Sequence, residues 1–245
     1  MINNNRLVSL QRKNEGLTKL MFGSPHFFIY YIAYISLPAL WEELLRQNYS
    51  IIHYLKYIGG IKLFKYFNGL LYPVEVSYPD PEFGRVMFEH YGGKDSEFSA
   101  ATQYMNHSYN MPNPYVRELL NLIAAEEHSH MEMVATSIQK LGGPPLCYVN
   151  SQGVPWSIEY VDQSLDPIAM LQADAEAEIR AKQLYNLHFT MTCDPKLQKM
   201  IRFLGEREDV HQHLFEKARA LILQNAPLDS FRQLITEYRM SFPTA

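Results

Sequence analysis

The chain has 245 residues, of which 47% are hydrophobic, and this is ample for the buried core of one large domain or two small ones. Its formal net charge of -4 gives no basic surface typical of nucleic-acid binding, so we expect no nucleic-acid partner. Only 2 cysteines, Cys147 and Cys193, are present, which excludes a dense disulfide framework and favours a reducing, cytoplasmic compartment.

The first 70 residues differ from the remainder in charge and composition. They contain 8 Lys and Arg against 3 Asp and Glu, whereas residues 71–245 contain 14 against 23. Aromatic residues are frequent, and short helices are predicted at 39–47 and 51–58. We interpret residues 1–70 as an extension of unknown role that packs on the main domain, 71–245, or contacts another subunit. An anchor at a membrane surface and a wrongly assigned translation start are the alternatives.

No segment predicts a helix that crosses a membrane. The most apolar stretch, residues 27–41, is shorter than the ~20 residues that a spanning helix needs, and it contains Pro38. It also lacks the small-residue cleavage site of a signal peptide, so we do not expect secretion by that route.

Four long helices are predicted after a proline-rich lead-in at residues 71–84, which we expect to be extended because each proline disfavours helix at the residue before it. They cover about 95–109, 114–141, 167–191 and 195–223, and the last two begin with Asp-Pro, an N-cap followed by proline at the first helical position. Residues 146–166 show no helical period and predict a long crossover. Short, long and short connections therefore predict an all-α fold, a ferritin-like four-helix bundle with its crossover between helices 2 and 3, preceded by a helical N-terminal extension.

A carboxylate and an imidazole interrupt the apolar stripe of the second predicted helix. The positions that share this face are Leu120, Ile123, Glu127, His130, Val134 and Ile138. On the fourth helix, Glu208 and His211 interrupt the matching face in the same way. Glu97 and Glu178 occupy face positions on the first and third helices. Because an unpaired buried carboxylate is costly, we expect a cation between the helices.

Four glutamates and two Glu-x-x-His pairs on four helices are the ligand set of a two-metal carboxylate bundle. A single histidine on an apolar face is more often a satisfied core residue, so the prediction depends on the coincidence of six positions. Oxygen and imidazole donors fit manganese or iron, and periodicity does not rank the four glutamates. Glycine-rich phosphate loops, a Gly-x-Ser-x-Gly elbow and Cys-x-x-Cys pairs are absent from the sequence, which argues against nucleotide, acyl-transfer and zinc-ribbon chemistry.

The polar neighbours of these positions are interpreted as solvated or salt-bridged flanks of the helices. They are Glu126, Glu132, Glu206, Arg207, Asp209 and His213. His128 is assigned a structural role, and Met131 and Met133 are assigned to helix packing.

Six sequence motifs resemble those of a known protein family. In chain order they are YPVEV (72–76), GGKDSEFSAATQY (92–104), AAEEHSHMEMVAT (124–136), QGVPW (152–156), DAEAEIRAKQLY (174–185) and FLGEREDVHQHLFEKA (203–218). Together they resemble the non-haem manganese catalases and the related CotJC-type spore-coat proteins. The resemblance spans about residues 71–224 and does not extend to residues 1–70.

The resemblance implies two manganese ions per chain and assigns a role to each site residue. The implied metal ligands are Glu97, Glu127, His130, Glu178 and His211, with Glu127 bridging the two metals. Glu208 is implied as a catalytic proton acceptor close to the metals, and Tyr104 as a tyrosine that hydrogen-bonds near the cluster. The implied reaction is disproportionation of hydrogen peroxide to water and oxygen, in a homo-oligomer that is a hexamer.

Two departures resemble the spore-coat branch more than typical catalases. Ala177 stands where some catalases carry an arginine, immediately before the third-helix glutamate, and only about twenty residues follow the fourth predicted helix. We therefore expect a catalase in the cytoplasm or the spore coat, with other spore-coat proteins as further partners. Two alternatives stay open: a structural coat protein that keeps the di-metal site with little or no turnover, and a di-iron ferritin-like oxidase.

Overall fold

A computed structural model describes residues 70–242 of the chain. These residues belong to one compact unit, Asn68–Ala245. Seven helices are described: α1 (Pro81–Val86), α2 (Phe88–Gly92), α3 (Glu97–Asn110), α4 (Pro114–Lys140), α5 (Pro167–Met191), α6 (Pro195–Leu223) and α7 (Arg232–Met240). Within this part of the chain there is no β-strand, only an isolated bridge between Val149 and Pro155. The predictions made for the N-terminal extension lie outside the described residues.

The four long helices, α3 to α6, form the predicted bundle. Helix α3 packs along α4 and α5 packs along α6, because each pair is joined by only three residues and must fold back on itself. A connection of 26 residues, 141–166, crosses from the first pair to the second. The fold is therefore the ferritin-like four-helix bundle expected from the sequence. None of the described helices is both long and apolar enough to span a membrane.

Asp-Pro pairs determine where α5 and α6 begin. The side chains of Asp166 and Asp194 accept hydrogen bonds from N–H groups of the first helical turn, and the proline that follows each of them lacks the N–H that the helix would leave unpaired. Both helices have the predicted bounds. Helix α3 begins at Glu97 rather than near residue 95, because the Ser96 hydroxyl accepts a hydrogen bond from the Ser99 N–H and acts as its N-cap.

Two elements differ from the sequence-based expectation. The lead-in is extended only as far as Asp80, which caps α1 by accepting a hydrogen bond from the Phe83 N–H at 3.0 Å, with proline again at the first position. The expectation of extended chain to residue 84 is therefore wrong from Pro81 onward. Helix α7 was not predicted, although its buried residues Leu234, Ile235 and Tyr238 have helical spacing in the sequence.

The core consists of two apolar clusters with a polar layer between them. The first cluster contains residues of α4 from Val116 to Ala124, together with apolar side chains of α7. The second contains residues of α4 from Met133 onward and Leu141 just after the helix, together with apolar side chains of α1 and α2. Between them along α4 lie buried glutamate and histidine side chains. The short helices thus cover the two ends of the bundle, and the polar layer lies in its middle.

A buried polar cluster joins α3, α5 and the crossover. The His107 ring lies 2.8 Å from Asp174 Oδ1 through Nδ1, and 3.4 Å from Asp162 Oδ1 through Nε2. Gln103 donates a hydrogen bond to Asp174 and accepts one from the Asp162 N–H. The same crossover is tied to α3 by the Trp156 indole N–H, which donates to the Ser99 hydroxyl. The crossover is therefore held against the face of α3 that carries Ser99, Gln103 and His107.

This cluster predicts a pH dependence of stability. Burial favours the neutral imidazole, but the hydrogen bond to Asp174 and the charges of Asp174 and Asp162 outweigh it and raise the pKa of His107 above 6.5. A histidine whose pKa is higher in the folded state stabilises the fold below its unfolded pKa, and that contribution is lost as the pH rises through the folded pKa.

Near pH 6 we expect the free energy of unfolding of metal-free His107→Gln protein to be about 1–2 kcal/mol lower than that of the parent, because glutamine keeps a hydrogen-bond donor but not the charge. The two proteins should converge as the pH is raised, since the parent alone loses a charged contact. Urea unfolding across this range measures both quantities. A difference that is constant with pH would contradict the expectation.

Candidate metal centre

Six buried side chains from four helices converge in the polar layer. They are Glu97 on α3, Glu127 and His130 on α4, Glu178 on α5, and Glu208 and His211 on α6. The Glu-x-x-His spacing places both groups of each pair on one helical face, directed into the bundle. The structure therefore brings together all six residues that interrupted the predicted stripes, and each is at most 3% exposed.

The ligand atoms of these residues form two groups that share two carboxylates. One group is Glu97, Glu127, His130 and Glu208, and the other is Glu127, Glu178, Glu208 and His211. Within each group the atoms lie within 4.8 Å of one another. Each group offers three carboxylate oxygens and one imidazole nitrogen, a donor set suited to manganese or iron. The arrangement has room for two adjacent cations.

The two shared carboxylates each face both histidines. Glu127 places Oε2 2.8 Å from His130 Nδ1 and Oε1 2.7 Å from His211 Nδ1. Glu208 places its oxygens at 3.8 Å and 3.6 Å from the same two nitrogens. A carboxylate with one oxygen in each group has the geometry to bridge two cations. Both glutamates have this geometry, and Glu127 makes the closer approach.

Several buried polar atoms of the site have no hydrogen-bond partner among the described residues. They include Oε1 of Glu127, Glu178 and Glu208, and Nδ1 of His211. An unpaired buried polar atom is costly, and native proteins contain few of them. Glu127 Oε1 and His211 Nδ1 approach each other closely without aligning as donor and acceptor, as two ligands of one cation do. The residues therefore fit a metal pair.

The electrostatics of the cluster also favour cations. Burial, followed by the charge of Glu208, raises the pKa of both Glu97 and Glu178 well above the usual range. Burial acts in the same direction on Glu127, but His211 and His130 outweigh it and hold the pKa of Glu127 far below that range. The buried carboxylates thus repel one another in a site with little solvent, and bound divalent cations would compensate their negative charge.

Two tyrosines lie beside Glu97 and Glu178, the glutamates that belong to only one donor group each, and each tyrosine is near the glutamate of the other helix. Tyr104 follows Glu97 by seven residues on α3, and burial followed by the charge of Glu178 on α5 raises its pKa. Tyr185 follows Glu178 by the same interval, and its hydroxyl donates a hydrogen bond to Glu97. Tyr104 was predicted, although its hydroxyl has no hydrogen-bond partner among the described residues. Tyr185 was missed, and the repeated spacing was the available signal.

Glu126 and Arg207 occupy positions that the sequence analysis did not anticipate. Both were interpreted as solvated or salt-bridged flanks; they are buried and form an ion pair with each other, with Arg207 Nε 2.6 Å from Glu126 Oε1. Glu126 Oε2 also lies 3.0 Å from His211 Nε2. The available signal was the spacing, since Glu126 is four residues before His130 on the same helix. The other predicted flanks are exposed: Glu132, Glu206, Asp209 and His213. His128, which was assigned a structural role, is exposed as well.

A narrow pocket of about 10 Å³ lies beside the site, between α3 and α5. Glu97, Glu178 and Glu208 line its inner end. Arg180 also lines it and pairs with Asp95, with 2.7 Å between Nε and Oδ1. Ala177 lies one turn before Arg180 in the same lining, so an arginine is present near the site although Ala177 itself carries no charge.

Several known proteins are similar in sequence to this chain. A family model described as manganese containing catalase matches residues 63–144 and 142–230. CotJC of Bacillus subtilis is 36% identical over 169 residues, which cover 61% of this chain and 89% of CotJC. A probable manganese catalase of Clostridium acetobutylicum is 32% identical over 165 residues, which cover 59% of this chain and 73% of that protein.

A solved structure agrees with these sequence matches. KatB, a manganese catalase from Anabaena, superposes with a TM-score of 0.63 and 27% identity, covering 65% of this chain and 81% of KatB. The range matched by the family model contains all four long helices and every one of the six convergent side chains, from Glu97 to His211. With the donor set, the bundle and the sequence in agreement, the chain belongs to the manganese catalase family.

Proposed function

We propose that the protein is a di-manganese catalase, which disproportionates two molecules of hydrogen peroxide to two of water and one of oxygen. One observation carries the proposal: six buried side chains on four helices form two adjacent donor groups that share Glu127 and Glu208. Membership of the manganese catalase family supports the choice of manganese and of peroxide. Hydrogen peroxide is little larger than water, which suits the narrow pocket lined by Glu97, Glu178 and Glu208.

The proposed ligands are Glu97, Glu127 and His130 for one manganese, and Glu127, Glu178 and His211 for the other. Glu127 is the bridging carboxylate, consistent with its oxygens lying 2.8 Å and 2.7 Å from the two histidines. When bound, the metal pair would supply two one-electron centres, so that two electrons are exchanged with each peroxide without release of a radical. The protein contributes the positions of the ligands and the control of protons.

Glu208 is proposed to move the protons of the reaction. It is 1% exposed, lines the inner end of the cavity, and has an oxygen near each histidine. A carboxylate in this place can accept a proton from an entering peroxide and return it to the departing oxygen atom. We assign it this role rather than that of a simple ligand, because its oxygens lie farther from the histidines than those of Glu127.

A role in the spore coat is a second, compatible proposal. The similarity to CotJC favours it, and Ala177 is a departure from some catalases at a position next to the site. In this case other coat proteins are partners and the location is the spore coat rather than the cytoplasm. A purely structural coat protein, which would keep the di-metal site with little or no turnover, is the alternative to the catalase proposal. Assembly into a homo-oligomer, a hexamer by family resemblance, belongs to the same set of proposals.

Metal analysis combined with oxygen release tests the catalase proposal. We expect the purified protein to hold about two manganese ions per chain and to release oxygen from peroxide. Glu127→Ala should lose most of both metals, because it removes the shared ligand, and His211→Ala should lose most of one. Glu132→Ala is the matched control, since Glu132 lies on the same helix and is exposed.

The outcomes separate the three functions. Two manganese ions without oxygen release would eliminate the enzyme and favour the structural coat role. Iron in place of manganese, with consumption of dioxygen, would favour a ferritin-like oxidase. Oxygen release that survives Glu127→Ala would show that the activity does not come from this site.

Replacement of Glu208 tests its role separately. Glu208→Gln keeps the size of the side chain and removes its capacity to accept a proton, so we expect kcat to fall about 100-fold or more while manganese content is unchanged. Steady-state oxygen release and metal analysis on one preparation provide both values. Glu206→Gln, an exposed position on the same helix, should behave as the parent. Loss of metal from Glu208→Gln would instead identify Glu208 as a ligand.

A further inference from the structure

The outer nitrogens of both site histidines face one carboxylate. Glu126 Oε2 accepts a hydrogen bond from His211 Nε2 at 3.0 Å, and Glu126 Oε1 lies 3.4 Å from His130 Nε2. An imidazole whose Nε2–H points to a carboxylate presents the lone pair of Nδ1 on its other side. In both rings that side is the one facing Glu127. Glu126 therefore directs Nδ1 of His211 toward the metal side through a hydrogen bond, whereas His130 Nε2 makes no hydrogen bond among the described residues and is acted on by the charge of Glu126 at 3.4 Å.

Glu126 is itself held by the guanidinium fork of Arg207. The two side chains are almost fully buried, and Arg207 donates from Nε to Oε1 at 2.6 Å and from Nη2 to Oε2 at 3.2 Å. This two-point contact prevents rotation of the Glu126 carboxylate and compensates its buried charge. The orientation of the histidines thus depends on the orientation of the guanidinium.

The remaining nitrogen of Arg207 is bound by the chain beyond α7. Its Nη1 donates to the backbone oxygen of Ser241 at 2.9 Å and to the Ser241 hydroxyl at 3.0 Å. The ring of Phe242 covers the guanidinium, with 4.4 Å between Cζ and the ring centroid. A cation over an aromatic face is attracted to it, more strongly where water is excluded. The turn at Ser241 and Phe242 therefore covers the Arg207 guanidinium of the Arg207–Glu126 ion pair.

We propose that the turn at Ser241 and Phe242 braces the metal centre by holding Arg207 against Glu126, which in turn positions His130 and His211 for the metals. The inference rests on the proposed metal site, and it adds a determinant of metal retention outside the four-helix bundle. Glu126 and Arg207 are positioning residues, because they act through the histidines. The turn that follows helix α7 accordingly supports the site, although it contributes no ligand.

Manganese affinity, measured by competition with a chelator, tests this proposal. Loss of a partner that orients a metal ligand typically weakens affinity about 10- to 100-fold, and we expect this of Arg207→Met. Phe242→Ala removes only the ring and should weaken affinity about two- to fivefold. The electron paramagnetic resonance spectrum of bound manganese should change in Arg207→Met, since the histidines reorient.

The control separates this brace from general support by α7. Lys217 on α6 pairs with Glu237 on α7 at 2.5 Å, but neither residue contacts Glu126. Lys217→Met therefore weakens the same helix pair and should leave affinity and spectrum unchanged. The melting temperature of each metal-free variant reports its general stability. If Arg207→Met does not fold, Arg207→Lys, which cannot reproduce the fork, should show an intermediate loss of affinity.

Parental affinity and spectrum in a folded Arg207 variant would overturn the brace, as would an equal loss of affinity in Lys217→Met. Neither result would affect the catalase proposal, which depends on oxygen release. Conversely, a parent that binds manganese but releases no oxygen would overturn catalysis, while the affinity series would still decide the brace. A parent that binds no manganese or iron would overturn both.

Discussion

The burial of carboxylates in the middle of an apolar bundle is the constraint on which this structure depends. Five glutamates, Glu97, Glu126, Glu127, Glu178 and Glu208, are buried in a layer between two apolar clusters. Such groups ionise only where positive charge or hydrogen-bond donors compensate them. Two histidines and one arginine are buried with them, which leaves more acidic than basic groups. A pair of divalent cations would compensate the excess negative charge. The same buried carboxylates that are costly to the fold are therefore the basis of the proposed metal site.

Elements outside the layer serve to hold it in place. Capping residues determine the starts of the helices and so the height at which each ligand enters the bundle. The crossover is hydrogen-bonded to α3 through Gln103 and Ser99, and the turn that follows α7 is hydrogen-bonded to Arg207 through Ser241. The ligands therefore depend on different supports: Tyr185 donates a hydrogen bond to Glu97, and Glu126 faces the outer nitrogens of the two histidines. Stiff supports of this kind keep ligands in position while charge and protons change at the site.

Much of the fold and part of the site could be predicted from the sequence. Helix bounds follow from local signals such as Asp166-Pro167, and the stripe of α4 is completely buried, as its period of three and four predicted. The family resemblance is confirmed, whereas the role of each ligand remains a prediction that the convergence of the six side chains supports. Glu126 and Arg207 were interpreted as flanks because periodicity assigns a residue to a face but does not identify its partner on another helix. The same limit hid Tyr185, whose partner Glu97 is 88 residues away in the chain.

The sequence by itself therefore determined the local and periodic properties of this protein: four long helices, their caps, their apolar faces and the places where charge interrupts them. Only the tertiary structure decided which charged groups meet, because contacts between helices depend on the rotation and offset of each one in the bundle. That is why Glu127 could be recognised from the chain alone, while the connection from Phe242 through Arg207 and Glu126 to the histidines could not.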